Sequence, residues 1–395
     1  EAIRFDLAIA NAPVCCPSRA SLLTGLYAHN HGVHTNQPPN GGAPAFDASS
    51  TIGTWLQGAG WKTAYVGKYL NSYGMLSPIV PPGWSHWFVS IGDSGRLNYY
   101  DYSANRNGIV SFYGSQHDDY STYRFTAEAQ TWLQSLQPTD DAFLVLAFEA
   151  PHGPYVPAPE DVGIGVSLGP RAPSFNETDV TDKPTWVRSR ALLTAAQITY
   201  DNAKQRDQHR TLLASDRMIL QVIGTLQSLG RWNNTLFVFT SDNGYFWGEH
   251  RLRQEKQAAY EESIRVPFYL RVPGTAPRWD FTHLVGIIDI APTVADWAGV
   301  SIPSPVNGLS LRPLFGGSAP WRNDILVENW IDNRPDRTFA AVRSLSHLWV
   351  EYANGDRELY DLKVDPFQMT SRHNDPVLAT IRTNLEARLA QLRLE

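Results

Sequence analysis

Four short runs constrain the fold more than anything else in the chain. "KTAYV" (62–66), "AFLVLAF" (142–148), "TLFVFT" (235–240) and "VPFYLRV" (266–272) are apolar at both alternations of a strand. A strand of that kind is buried on both faces, the pattern of parallel sheets covered by helices. Helical patterns stand between them: "TIGTWLQGAG" (51–60), "YRFTAEAQTWLQSLQ" (123–137), "LLASDRMILQVIGTLQSLG" (212–230) and "APTVADWAGV" (291–300). Gly60, Gly230 and Gly299 sit where helices end in the left-handed region. The alternation predicts an α/β fold with a mostly parallel central sheet and helices on both faces. Near residue 301 the composition changes to the Pro/Gly/Ser-rich "SIPSPVNGLSLRPLFGGSAPWRN". Beyond it, "FAAVRSLSHLWVEY" and "RELYDL" alternate like antiparallel strands, and "VLATIRTNLEARLAQLRL" reads as a closing helix. The predicted division is a larger α/β unit over 1–300 and a small C-terminal antiparallel-sheet subdomain over 301–395.

Charge and chain length narrow the function classes. The net charge is −6 over 395 residues, which argues against a nucleic-acid partner needing a basic face. No apolar run approaches the roughly 20 residues of a membrane-spanning helix. The two cysteines of the chain are adjacent, in "NAPVCCPSRASLLTG" (11–25), and neighbours of that kind make no disulfide framework. Pro17 suits a first helical turn, and Leu22, Leu23 and Leu26 give the helix an apolar face. Cys15 then lies at a helix N-terminus, where free N–H groups favour negative charge, with Arg19 one turn on. Three more polar sets follow predicted buried strands: Gly67-Lys68, His152 in "APHGP", and Asp242-Asn243 in "TSDNG". Sites in open α/β sheets gather at the carboxyl ends of strands, so these four sets converge on one rim. "SDNG" is turn chemistry and also a pair of hard oxygen donors suited to Ca²⁺ or Mg²⁺.

"CCPSRASLLTG" matches the pattern C-x-P-S-R-x-x-x-L-T-G at every specified position, and in this the chain resembles the sulfatases. "TGLYAHNHGVHTN" (24–36), "VGKYLNSYG" (66–74), "VPPGWSHW" (80–87), "YYDYSANRNG" (99–108), "APHGPYVPAPE" (150–160), "TSDNGYFWGEHRL" (240–252), "KQAAYEESIRVPFYLRVPG" (256–274) and "ELYDLKVDP" (358–366) extend it along the chain. They are similar to the glucosamine-6-sulfatase and extracellular heparan sulfatase branch. The resemblance implies an alkaline phosphatase-like fold. It implies that Cys15 is converted to formylglycine by a formylglycine-generating enzyme and acts as the nucleophile. It implies roles for Arg19, Lys68 and Lys256 on the sulfuryl oxygens and for His152 or Lys256 as proton donor to the leaving alcohol. Asp242, Asn243 and position 15 would ligate Ca²⁺ or Mg²⁺. The substrate would be a sulfated sugar or aryl alcohol, and the setting secreted, periplasmic or lysosome-like.

Two features depart from the family pattern. A histidine two residues after the G-K lysine is replaced by Leu70, which accepts no proton, so the base is unassigned and Asn71 offers only hydrogen bonds. The family also opens with a buried central strand ending in an Asp-Asp pair that holds the metal. No such strand is expected before Cys15, and Asp6 in "RFDLAIANAP" is not assigned to the pair. The given residues are therefore expected to lack an N-terminal strand. His29, His31 and His34 do not fit a zinc site and read as structural or rim residues; His250 is a weaker candidate beside the site. Two rival readings share these residues: a phosphonate or phosphate ester hydrolase, and a sulfated-glycan-binding pseudoenzyme.

Overall fold

The computed structural model describes residues 2–92, 98–303, 305–315 and 320–395. Within the Pro/Gly/Ser-rich link, residues 304 and 316–319 lie outside the described residues. A strand does precede the cysteines, which corrects the expectation that none would. Strand β1 (Ile3–Ile9) runs parallel to Arg278–Gly286, and its first residues pair antiparallel with Phe268–Arg271. Asp6 on β1 is held by Arg4 and Arg265, away from the cysteines. The chain then turns into helix α1 (Cys15–Thr24), which ends at Gly25 in the left-handed conformation (φ 73°).

Next comes a five-stranded sheet of β2 (Lys62–Gly67), β3 (His86–Ile91), β4 (Tyr102–Arg106), β5 (Ile109–Tyr113) and β6 (Ala142–Ala147), in the order β5-β4-β3-β2-β6. β2 is parallel to both neighbours, β3 and β6, while β4 and β5 add an antiparallel edge. Helices cover both faces. Trp132, Leu133, Val222 and Leu226, from helices Ser121–Ser135 and Ala195–Ser228, pack with Ala64, Leu144 and Leu146. On the other face Leu23 of α1, Trp55 and Ala295 pack with Tyr65, Phe143 and Val145. This even/odd division is the period-2 alternation of a strand.

A second sheet contains β7 (Phe237–Thr240); the short hairpin β8 (Phe246–Trp247) and β9 (Arg253–Glu255) follows it in the chain. With β10 (Phe268–Arg271) and β11 (Arg278–Gly286) the sheet has the order β11-β1-β10-β7. The expected single sheet is thus two mixed blocks, with parallel ladders at β2-β3, β2-β6 and β1-β11 and antiparallel ladders at the rest. Among the described residues β6 pairs only with β2, and β7 only with β10. Between them lies a slot of about 1850 Å³, lined by residues 142–149 and 234–245 and floored by helical side chains such as Leu22, Trp132, Val222 and Val294. The expectation that all four apolar runs are buried is corrected here. β6 is half-buried along its whole length, because one edge of each strand faces the slot.

The C-terminal sheet is an antiparallel meander of β12 (Asp324–Asn329), β13 (Phe339–Ser344), β14 (His347–Tyr352) and β15 (Arg357–Asp361). Helix Ala379–Leu392 packs on it through Leu389 and Leu392. Its inner face shares one apolar core with Trp186, Phe246 and Tyr260 of the larger unit, so the two sheets are locked together rather than linked as beads.

Candidate active site

The site is built where β2, β6 and β7 end and α1 begins. Cys15 is the first residue of α1, and Val14 before it supplies no side-chain cap. Instead Asn36 Oδ1, from the loop after α1, accepts the Cys16 N–H at 2.9 Å. The helix mouth therefore keeps its positive character pointed at Cys15. Gly67 closes β2 at φ +107°, and a Cβ there would stand 2.0 Å from the Ala147 carbonyl oxygen, so only glycine lets the strands stay this close. The next residue, Lys68, donates its N–H to that same carbonyl at 2.8 Å. Its own carbonyl accepts from Arg19 Nη1 (2.7 Å) and from the Tyr65 hydroxyl (2.9 Å). With its backbone pinned three ways, Lys68 aims Nζ at Cys15 Sγ, 3.6 Å away, and is 4% exposed.

Lys256, beyond β9, reaches in from the opposite side. Its Nζ donates to Cys15 Sγ at 2.9 Å and to Asn243 Oδ1 at 3.2 Å. Arg19 Nε donates to Asp242 Oδ2 at 2.7 Å across 223 residues of sequence. His152 stands at the mouth. Its Nδ1 lies 2.8 Å from the Gly153 carbonyl, which fixes the proton there and leaves Nε2 free. The His152 ring is near enough to Cys15 to help lower its thiol.

Charge explains what this cluster does to its members. Burial alone would raise the Cys15 thiol, but the Lys256 and Lys68 ammoniums outweigh it and hold the group well below the usual thiol range. One residue on, burial pushes Cys16 up to about 12, with no lysine in contact. Two adjacent cysteines thus differ: one thiol is held low by two ammoniums, the other is raised as a core residue. Burial likewise opposes ionised Asp242, yet Arg19, Lys68 and Lys256 keep its carboxyl well below the carboxylate range. Lys256 is raised despite burial, by Cys15 and Asp242. Two ammoniums on the Cys15 sulfur, with the Arg19 guanidinium on Asp242 beside them, are an arrangement that could take an oxyanion.

All five sequence-derived catalytic candidates, Cys15, Arg19, Lys68, His152 and Lys256, meet here, and so do Asp242 and Asn243. The other histidines stand apart. His29 binds Glu328, His31 sits 3.1 Å from Ser21 Oγ, His34 stacks on Trp330, and buried His250 pairs with Glu177. Leu70 is packed in the core beside Tyr65 and Trp87. Two contributors were not found from sequence, Tyr65 and Asn36, which act through contacts no local pattern announces.

The donor set for a hard cation is small. Such an ion takes six to eight oxygens. Asp242 and Asn243 offer side-chain oxygens near position 15, and Arg19 and Lys256 already engage them. Among the described residues no group of three or more His, Cys, Asp or Glu could hold an ion. These residues do not by themselves fit a Ca²⁺ or Mg²⁺ shell.

The family model described as Sulfatase matches residues 1–300. The chain belongs to the sulfatase family. The model described as "N-sulphoglucosamine sulphohydrolase, C-terminal" matches residues 248–395 of this sulfatase. It is 34% identical over 341 residues to the putative extracellular sulfatase Sulf-1 homolog of Caenorhabditis elegans, covering 82% of this chain and 47% of that protein. The chain therefore spans about half of that relative. It is 32% identical over 415 residues to human N-acetylglucosamine-6-sulfatase, covering 93% of this chain and 74% of the relative. A protein solved in complex with its substrate D-glucosamine-2-N,6-O-disulfate superimposes with a TM-score of 0.86 at 24% identity, over 99% of this sulfatase and 90% of that chain. The phosphonate monoester hydrolase of Silicibacter pomeroyi gives 0.77 at 22% identity, over 100% and 88%. At these identities the structural likeness establishes the alkaline phosphatase-like fold. No helix among the described residues is long and apolar enough to cross a membrane.

Proposed function

We propose that this sulfatase hydrolyses sulfate esters of a sugar, with position 15 as nucleophile after conversion of Cys15 to formylglycine. The observation that carries this reading is the convergence of Lys68, Lys256 and the N-terminus of α1 on one buried side chain. A hydrated aldehyde at position 15 supplies one hydroxyl to attack sulfur and a second to expel sulfate, which serine could not do. Lys68 and Lys256 are placed to bind the sulfuryl oxygens as their charge grows. Arg19 fixes Asp242 and the Lys68 turn, and adds its charge beside the two lysines. His152, with Nδ1 tied to Gly153 and Nε2 free, is positioned to exchange a proton with the leaving alcohol at the mouth; Lys256 is the other donor within reach.

Formylglycine-generating enzyme is the maturation partner this reading requires. Calcium dependence is typical of the family; here Asp242, Asn243 and position 15 supply only part of a shell, and no step is routed through a cation. The slot between β6 and β7 opens beside Asp242. A sulfated glycan is the proposed substrate, supported by the sugar-sulfate names of the relatives. An extracellular or lysosome-like setting agrees with the relative named as extracellular.

The test combines two measurements on material co-expressed with the generating enzyme. The mass of the peptide spanning position 15 should show the aldehyde in place of the thiol. Turnover of an aryl sulfate should exceed that of the matching aryl phosphate or phosphonate. A preference for the phosphorus ester would move the assignment to the phosphonate hydrolases, and sulfated-glycan binding without turnover by the aldehyde form would make it a pseudoenzyme.

A further inference from the structure

The segment that carries Lys256 is held in a conformation its own residues do not favour. Gln254 and Gln257 bracket it with φ of +49° and +69°, the left-handed region that non-glycine residues keep only where their surroundings hold them there. Two anchors grip this segment. On one side Asp201, 2% exposed on helix Ala195–Ser228, accepts Arg253 Nε at 2.6 Å, Arg253 Nη2 at 2.9 Å and Gln254 Nε2 at 2.7 Å. On the other stands Arg337 of the C-terminal subdomain, in the connection between β12 and β13. Its Nη2 donates to Glu255 Oε2 at 3.0 Å and to the Lys256 carbonyl, 81 residues back in the chain, at 3.4 Å. The guanidinium is itself braced, lying over the Trp186 ring at 4.6 Å from its centroid. The Arg337 carbonyl accepts Asn329 Nδ2 at 3.0 Å, and Asn329 Oδ1 accepts Gln257 Nε2 at 3.4 Å, so the same connection reaches residues on both sides of Lys256. Between the anchors, Lys256 Nζ meets Cys15 Sγ at 2.9 Å and Asn243 Oδ1 at 3.2 Å.

We infer that Arg337 is a positioning residue for the sulfate-ester reaction: from the C-terminal subdomain, and against the Asp201 anchor, it holds the backbone from which Lys256 reaches position 15. The inference rests on the sulfatase reading. A lysine ammonium rides on a flexible four-carbon stem, so it is placed only as well as the main chain beneath it. Arg337 acts on that main chain directly, through the Lys256 carbonyl, and on the carboxylate beside it. Glu255 has a second cation, Arg190 at 3.2 Å, but among the described residues Arg190 donates no hydrogen bond to the Lys256 main chain. The C-terminal subdomain thereby takes part in the reaction without lending it a reacting group.

The experiment compares Arg337→Ala with Arg343→Ala in the formylglycine-bearing enzyme. Arg343 is another arginine of the C-terminal sheet; it pairs with Glu261 of the larger unit at 2.8 Å and donates no hydrogen bond to residues 253–257. Arg337→Ala should lower kcat by about 10²-fold, the scale of a misplaced site group, with a smaller change in KM. Arg337→Lys, which keeps a charge for Glu255 but not the planar group over Trp186, should recover part of the rate. Arg343→Ala should lower the denaturation midpoint without a comparable fall in kcat. Glu255→Gln removes the charge that Arg337 grips and should lower kcat in the same direction, which guards against an Arg337 variant that does not fold. A crystal structure of Arg337→Ala reads the same point without activity: Lys256 Nζ should leave its contacts with position 15 and Asn243. If Lys256 stays in place, or if Arg343→Ala lowers kcat as far as Arg337→Ala does, the inference is overturned. A wild-type enzyme that fails to turn over sulfate esters overturns the sulfatase reading instead, and the Lys256 displacement then still decides the role of Arg337.

Discussion

β2 and β7 are both apolar strands that deliver a charged residue to the same site, yet they are held in opposite ways. β2 pairs on both edges, with β3 and β6, and is buried from Thr63 onward. Lys68 beyond it has its backbone fixed by Ala147, Arg19 and Tyr65. β7 pairs on one edge only and opens on the slot along the other. Asp242 beyond it is held chiefly by the Arg19 side chain. The Lys68 half of the site is therefore set by backbone ladders, and the acidic half by an ion pair. Ladders are cooperative and stiff, whereas an ion pair between partly buried side chains depends on both partners being present.

The largest effect sharpening this comparison concerns the nucleophile at the junction of the two halves. Cys15→Ala should lower turnover by on the order of 10⁴–10⁶-fold, while Cys16→Ala, which removes only a core thiol, should reduce it far less. Comparable losses from the two variants, measured as kcat/KM on one sulfate ester, would break the distinction drawn between them.

Next in size is the leaving-group end. His152→Ala and Lys256→Ala should each be compared on a sugar sulfate and on a nitrophenyl sulfate. The proton donor is the one whose removal costs about 10²–10⁴-fold on the sugar ester and little on the nitrophenyl ester, whose leaving group needs no proton. An unchanged ratio in both variants places the donor elsewhere.

The third contrast is in stability. Arg19→Ala leaves Asp242 without its ion-pair partner, and chemical denaturation should show a loss of about 3–5 kcal/mol. Hydrogen exchange on the same protein should find amides of β6 and β7 exchanging well before those of β2. Equal protection across the three strands would mean that the slot edges are satisfied and the two halves are equally firm.

The smallest effect lies on the firm side. Burial lowers His31 to about 3, with His34 adding to the shift. Its Nδ1 accepts the Val33 N–H, which requires the neutral ring. A folded value below the unfolded one, near 6.5, gives stability that is full above 6.5 and lost as pH falls toward 3. Wild type should lose up to about 2 kcal/mol between neutral pH and about pH 5 that His31→Gln does not lose. Parallel pH–stability curves for the two proteins would remove His31 from the account.

Much of the site was legible before any fold was known. The signature around Cys15 is contiguous, and each of Lys68, His152 and Asp242 follows an apolar run by a few residues, so position after a strand was enough to assign them to one rim. Tyr65 and Asn36 were passed over because nothing adjacent in sequence marks them, and only the fold brings the Tyr65 hydroxyl to the Lys68 carbonyl and the Asn36 amide oxygen to the Cys16 N–H. β1 was not expected as a strand, because the segment was read as leading into the signature, although the alternation in "IRFDLAI" is itself a strand pattern. Arg4 and Asp6 are satisfied by each other and by Arg265, which lets the remaining apolar face pack.

The sequence by itself determined which residues could do chemistry, where several of the strands and helices would fall, and that the two adjacent cysteines stand at a helix N-terminus. Periodicity and motif spacing are local properties, and local properties survive in a one-dimensional string. Only the tertiary structure decided that β6 and β7 do not meet, that Arg19 bridges to a carboxylate 223 residues away, and that Lys68 and Lys256 approach Cys15 from opposite sides. Those outcomes depend on which strand edges find partners and which charges are buried together, and both are set by long-range packing that no window of the sequence contains.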